Sequence, residues 1–154
     1  MLLLRRDDAA TDSWALPGSM VRERERLADA VLRTLREKCA IEGLAPRQLA
    51  AFDDPDRDPR GWVISVAHVD AVPFDRLAAA VEGREDLVVA SVDGQTAEPA
   101  VDVPGRQRRL PFDHEQIVRL AVDDLRERYR RSPDPAALIA EPFTLLKLRR
   151  LHEA

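Results

Sequence analysis

Trp14-Ala-Leu-Pro-Gly-Ser-Met-Val-Arg-Glu-Arg-Glu-Arg-Leu-Ala-Asp-Ala-Val-Leu-Arg-Thr-Leu-Arg-Glu-Lys-Cys-Ala-Ile41 decides how the rest of the chain is read. Its first five residues are a short extended piece closed by the turn pair Pro17-Gly18. A helix follows from about residue 26 to residue 40. Leu27, Val31, Leu35 and Cys39 recur every fourth position, and Ala28, Ala30 and Leu32 widen that stripe into one apolar face. Gly43 stands where such a helix is expected to stop.

Working outward, Met1 to Arg5 is a short apolar run that suits a strand, and residues 7–13 suit a loop. Gln48 to Phe52 suits another strand. Residues 54–61 carry two prolines, which remove backbone donors, so this stretch reads as a loop. Trp62 to Val69 is rich in β-branched residues and reads as a strand throughout. Phe74 to Val81 fits a short helix and Asp86 to Val92 a strand. A long helix is expected from His114 to about Arg130, capped by Asp113 with Gln116 completing the box and with Phe112 and Ile117 as a hydrophobic staple. A short helix over Ala136 to Ala140 and a last one after Thr144 complete the order, a mixed α/β arrangement.

The 154 residues suit one domain, or one with a small appendage, and 45% of them are hydrophobic, enough for a core. A net charge of -4 argues against nucleic-acid binding by bulk charge. The charge is uneven: residues 101–154 hold 11 basic and 9 acidic side chains, net +2, against net -6 before them. Cys39 is the only cysteine, so no internal disulfide forms, which fits a reducing cytoplasm. The opening Met1 to Arg6 is too short for a signal-peptide core, and no apolar run approaches a membrane span. The expected setting is cytoplasmic, without a membrane partner.

The stretch from Trp14 to Ile41 resembles the Nudix signature. In that pattern a Gly, five residues, a Glu, seven residues, Arg-Glu, an aliphatic, any residue, Glu-Glu, any residue, a Gly and an aliphatic follow in order. Glu25, Arg33, Leu35, Glu37 and Ile41 match, five of nine specified positions, while Ser19, Thr34, Lys38 and Ala40 depart. The loop from Phe52 to Gly61, the run Leu110-Pro-Phe-Asp-His114, and Glu141-Pro-Phe-Thr-Leu145 followed by Leu148-Arg-Arg-Leu151 are similar to the Nudix-related transcriptional regulators of NAD metabolism. The resemblance covers nearly all of the chain. It implies a Nudix α/β/α sandwich with a mixed sheet over residues 1–110. A linker helix and the start of a winged-helix segment would follow over residues 111–154, as a helical tail. The relatives carry a further strand before the Leu2 segment and a DNA-reading helix and wing beyond this point. The expectation is therefore truncation at both ends, or a partner that supplies the missing parts. DNA binding by this chain is not expected, and an exposed sheet edge invites a homodimer.

Nudix hydrolysis uses Mg²⁺ held by hard carboxylate oxygens. Positions 34, 37 and 38 lie three and four apart and are expected to share one helix face. In the family pattern they are three carboxylates; here they are Thr34, Glu37 and Lys38. A unit charge at ~4 Å is worth roughly 4 kcal/mol at an effective dielectric near 20, so an ammonium in a ligand's place should expel a metal. The resemblance implies a catalytically impaired protein that senses ADP-ribose or a related nucleotide. Arg33, Lys38, Arg57 and Arg60 would be its ligand-binding residues, with Lys38 standing in for the metal. The competing expectation is a residual Nudix hydrolase with Glu25 and Glu37 as catalytic remnants and Glu37 and Glu98 as weak Mg²⁺ ligands. A third is a remnant without function. Arg33 and Glu37 could equally be a plain helical ion pair, and Arg57 and Arg60 could be absorbed by neighbouring aspartates. Trp14 and Trp62 are expected in the core, or at a pocket rim.

Overall fold

The computed structural model describes residues 1–8, 11–93, 99–102 and 109–153. The sequence Leu2-Leu3-Leu4 explains the layering. Successive side chains of a strand point to opposite faces. In β1 (Leu2–Asp8), Leu2 and Leu4 therefore pack with Cys39, Ile41, Ala80 and Leu87 on one side, while Leu3, fully buried, packs with Ala90, Leu110 and Val118 on the other. The first side is covered by α1 (Leu27–Cys39) and α2 (Phe74–Val81), the second by α3 (His114–Arg131). Three leucines thus specify a sheet with helices on both faces. Leu3→Ala would remove the centre of one core, a change that typically costs 2–5 kcal/mol.

β2 (Thr11–Ala15) and β5 (Leu87–Val89) flank β1, and both run antiparallel to it. β3 (Arg47–Phe52) pairs antiparallel with β4 (Ser65–Val69), with a register shift between Gln48 and Ala50. Their inner face, Phe52 and Ala67, meets Ile117 of α3. β6 (Val92–Asp93) pairs with β7 (Ala100–Val101), and α4 (Leu145–Glu153) ends the described chain. The helical tail is present. The sandwich is the expected one, and the pairings among the described residues are all antiparallel. No helix among the described residues is long and apolar enough to cross a membrane.

Local chemistry departs from expectation at several places. Asp7, Asp8 and Thr11 to Ser13, expected in a loop, are instead the paired ends of β1 and β2, because the two strands continue their antiparallel register to Asp8 and Thr11. The first helix is stopped by Ala40, not Gly43. Ala40 takes the left-handed conformation (φ 54°) and its amide closes on the carbonyl of Arg36, an αL helix end, while the Ile41 amide reaches the carbonyl of Leu35. Trp62 to Ile64 lie outside β4. The last facing pair is Phe52 with Ser65, and beyond it the 53–61 loop turns away on Asp54 and Asp58, so Trp62 has no strand beside it among the described residues. Trp62 is 79% exposed, whereas Trp14 packs against the Leu3 core. Asp113 does not cap α3 through its side chain, because its carboxylate is engaged with Arg57. No helix covers residues 136–140. Ala137 is left-handed there, and the Asp134 carboxylate accepts the amides of Leu138 and Ile139. The last helix does start after Thr144, whose hydroxyl accepts the Lys147 amide.

Candidate functional site

The loop that leads into α1 is pinned residue by residue from the helix. Lys38 Nζ donates to the Gly18 carbonyl at 2.7 Å. Thr34 Oγ1 lies in hydrogen-bonding contact with Ser19 Oγ and donates its own proton to the Ala30 carbonyl, which leaves Ser19 as the donor of the pair. Arg33 Nη2 donates to the Met20 carbonyl at 3.1 Å. Three successive loop residues are therefore held by side chains on about one and a half turns of helix.

Arg33 is the centre of this clasp. It is 8% exposed and donates to both oxygens of Glu25, at 2.7 and 2.8 Å. A second donor, the Arg22 amide, meets the same carboxylate at 2.8 Å. The Arg33 guanidinium, and after it the Arg22 amide, hold the Glu25 carboxyl down to about 2. In turn, the Glu25 carboxylate raises the affinity of Arg33 for its proton. Glu25 thus closes the loop: both of its oxygens are engaged inside the protein. Glu37 is about half exposed and lies 3.6 Å from the guanidiniums of both Arg33 and Arg22. The expected Arg33–Glu37 helical pair is present, with Glu25 as the closer partner.

The helix face expected to carry positions 34, 37 and 38 is divided. Thr34 is buried (6% exposed) and points into the loop, whereas Lys38 and Glu37 are at the surface. For Mg²⁺ this face offers one carboxylate, already flanked by two guanidiniums, and one ammonium. Magnesium requires several hard oxygen donors in near-octahedral array, so these residues do not fit the ion. No group of three or more His, Cys, Asp or Glu able to hold a metal exists among the described residues. Glu98 lies outside the described residues.

Arg57 and Arg60 lie elsewhere, around the first turn of α3. Arg57, with a side chain 6% exposed, is bound through two nitrogens to Asp113, at 2.8 and 2.6 Å. Its partner is 56 residues away in sequence, not one of the aspartates of its own loop. Arg60 does pair within the loop, to buried Asp58 at 2.9 and 2.7 Å, and holds that carboxyl well below the usual range. The Arg60 guanidinium also lies 5.3 Å from the centre of the Phe112 ring, and that of Arg6 lies 4.7 Å from it. A cleft of about 560 Å³ opens here, lined among others by Phe52, Asp54, Arg57, Phe112 and Asp113 and by none of the α1 side chains. The four cations expected to bind a ligand therefore form two groups: Arg33 and Lys38 on α1, Arg57 and Arg60 beside α3.

His114 enters the sequence reading only as the first residue of a long helix and the end of the Leu110-Pro-Phe-Asp-His114 run. Its Nδ1 accepts the Leu16 amide at 3.2 Å, across 98 residues. Burial pushes its imidazole down to about 4, so the ring is neutral at pH 7 with its proton on Nε2. Phe112 packs edge-on to it. The only sequence signal was the run Phe112-Asp113-His114 at a helix start. Cys39 is fully buried core, its thiol raised to about 11 by burial. His68 bonds the Val66 carbonyl on its own strand. The arginines near the end of α3 pair with Asp123 and Glu127 as a solvated face.

No family model matches the chain. Two curated proteins are similar to it. One is the ADPR responsive transcriptional repressor NtrR of Acinetobacter baylyi, 28% identical over 99% of this chain and 58% of its own length. The other is an ADP-ribose pyrophosphatase of Methanocaldococcus jannaschii, 28% identical over 77% of this chain and 63% of its own length. The chain thus spans about three fifths of the curated relatives it matches. Among solved structures, Shewanella oneidensis NrtR superposes with a TM-score of 0.72 at 29% identity, covering 99% of this chain and 68% of that one. The NUDIX domain of the same protein, solved with ADP ribose, gives 0.54 at 28% identity over 80% and 76% of the two chains. With a sheet covered by helices on both faces and a signature helix clasping its own lead-in, the chain is similar to an NrtR-type repressor and to an ADP-ribose pyrophosphatase, and it carries the Nudix fold.

Proposed function

We propose that this chain binds ADP-ribose or a related nucleoside diphosphate derivative as a sensing module, with hydrolysis impaired. The observation that carries this reading is Lys38. Its ammonium occupies the position of a signature carboxylate and rests on the Gly18 carbonyl, so a fixed cation stands where a divalent ion would otherwise neutralise a diphosphate. The ligands named for the relatives support the choice of nucleotide. In this reading Lys38 pairs directly with a phosphate oxygen, Arg33 and Glu25 keep the loop in shape, and Arg60 is available to a second anionic group by exchanging Asp58. Residues 111–154 act as linker helix and the start of a winged-helix segment, in a cytoplasmic homodimer.

Calorimetric titration of ADP-ribose into the protein in EDTA tests this. The expected result is binding without any divalent ion, lost in Lys38→Glu. Binding that appears only when Mg²⁺ is added would overturn it. The second reading, a residual hydrolase, rests on half-exposed Glu37 and on the likeness to a pyrophosphatase. Turnover of ADP-ribose with Mg²⁺ or Mn²⁺ above that of Glu37→Gln would establish it.

A further inference from the structure

Three consecutive residues at the start of α3 between them hold three other segments of the fold. Phe112 lies within reach of the guanidiniums of Arg6 on β1 and Arg60 of the 53–61 loop. Asp113 takes Arg57 of that loop in a two-point ion pair. His114 accepts the amide of Leu16, two residues before the Gly18 that carries Lys38. Phe112 is itself left-handed (φ 56°). That conformation is strained for a residue with a Cβ, so the contacts around it must hold it in place. The ordinary role of such residues, capping the helix, is absent at Asp113.

We propose that Phe112, Asp113 and His114 form a three-point latch that holds the signature lead-in, the 53–61 loop and the start of α3 as one cooperative unit. Its consequence is mechanical. Anything that displaces Gly18 or Leu16 at the signature loop is transmitted to the first turn of α3, and anything that opens the Arg57–Asp113 pair loosens the lead-in. Such coupling is reciprocal. The latch is made of contacts within the chain and stands whether or not ADP-ribose is the ligand.

The His114 ring reports the state of the latch. Burial lowers its proton affinity, the Arg57 and Arg6 guanidiniums lower it further, and the Asp113 carboxylate raises it. Asp113→Asn therefore separates two cases by sign in an NMR titration of the His114 ring. If the three points are independent, the buried ring only loses a favourable carboxylate and its midpoint moves down from about 4. If they form one unit, the ring is released to solvent and its midpoint moves up towards the ordinary 6.5. The expected result is the upward shift, with exchange of the Leu16 amide accelerated by about tenfold or more, in a protein whose core methyl signals stay dispersed. A downward or absent shift overturns the proposal. Phe112→Leu, which keeps apolar bulk and loses the ring, carries the same expectation should Asp113→Asn fail to fold. Loss of fold in both also overturns it, because a latch between finished units leaves the Leu3 and Cys39 cores standing.

Discussion

The Lys38 ammonium donates to the Gly18 carbonyl across 20 residues, and one turn back Thr34 holds Ser19 from inside the same helix. The two positions look equivalent in the signature pattern and are unlike in their surroundings. Lys38→Glu changes an exposed hydrogen bond and should cost about 1 kcal/mol or less. Thr34→Glu places a carboxylate at a site 6% exposed, already crowded by Ala30 and Ser19, and should cost at least ~3 kcal/mol. Urea unfolding of both variants checks the contrast. Equal costs would mean that the loop repacks to admit both.

Glu25 sets the acid stability of the signature loop. Its carboxyl is lowered from the ordinary 4.5 to about 2 by Arg33 and by the Arg22 amide. A carboxyl lowered in the folded state stabilises the protein fully above 4.5, and that contribution is lost as pH falls from 4.5 towards 2. Glu25→Gln should lower Tm by several degrees at pH 7 and reduce the part of the acid loss that belongs to this window. Melting curves from pH 7 to pH 2 test both statements. An unaltered Tm in Glu25→Gln would show that Arg33 is held by Met20 and Glu37 alone.

Local sequence carried the layering and the longer helices, because both follow from periodicity: Leu2-Leu3-Leu4 alternates between two cores, and Leu35 and Cys39 share the apolar face of α1. What it did not carry is the partner of each charged side chain. Arg57 passes over the aspartates beside it for Asp113, and His114 finds Leu16 from the far end of the chain. Such choices depend on which segments the fold brings together, and no repeat in the sequence encodes them. Trp62 failed for a related reason. Its β-branched neighbours favour a strand, yet a strand needs a facing chain, and the loop before it turns away after Phe52. Glu25 matches a signature position, but only the geometry reveals that Arg33 engages both of its oxygens.

Ala40 stands where the signature has a glycine, and its backbone keeps the conformation that glycine favours, with φ 54°. Left-handed backbone costs a residue with a Cβ about 1 kcal/mol relative to glycine. Ala40→Gly should therefore stabilise the protein by about that amount, despite the greater freedom glycine gives the unfolded chain. The measurement is the urea midpoint at constant m-value. A decrease in stability would mean that the Ala40 methyl makes packing contacts worth more than the strain.

His114 makes stability depend on pH in a window that lies mostly above that of Glu25. The imidazole is neutral in the fold, lowered to about 4 by burial, and titrates near 6.5 once exposed. Below 6.5 the unfolded chain takes up a proton that the folded one refuses, so stability falls with pH between 6.5 and 4 and levels off below that. Full expression of this shift corresponds to a loss on the order of 3 kcal/mol. His114→Asn places an uncharged acceptor close to where Nδ1 meets the Leu16 amide. That variant should be somewhat less stable at pH 7, since the smaller side chain leaves space beside Phe112, and its unfolding free energy should be nearly flat from pH 7 to pH 5. A wild-type curve already flat over that range would place the His114 ring in solvent, and with it would go the hydrogen bond to Leu16.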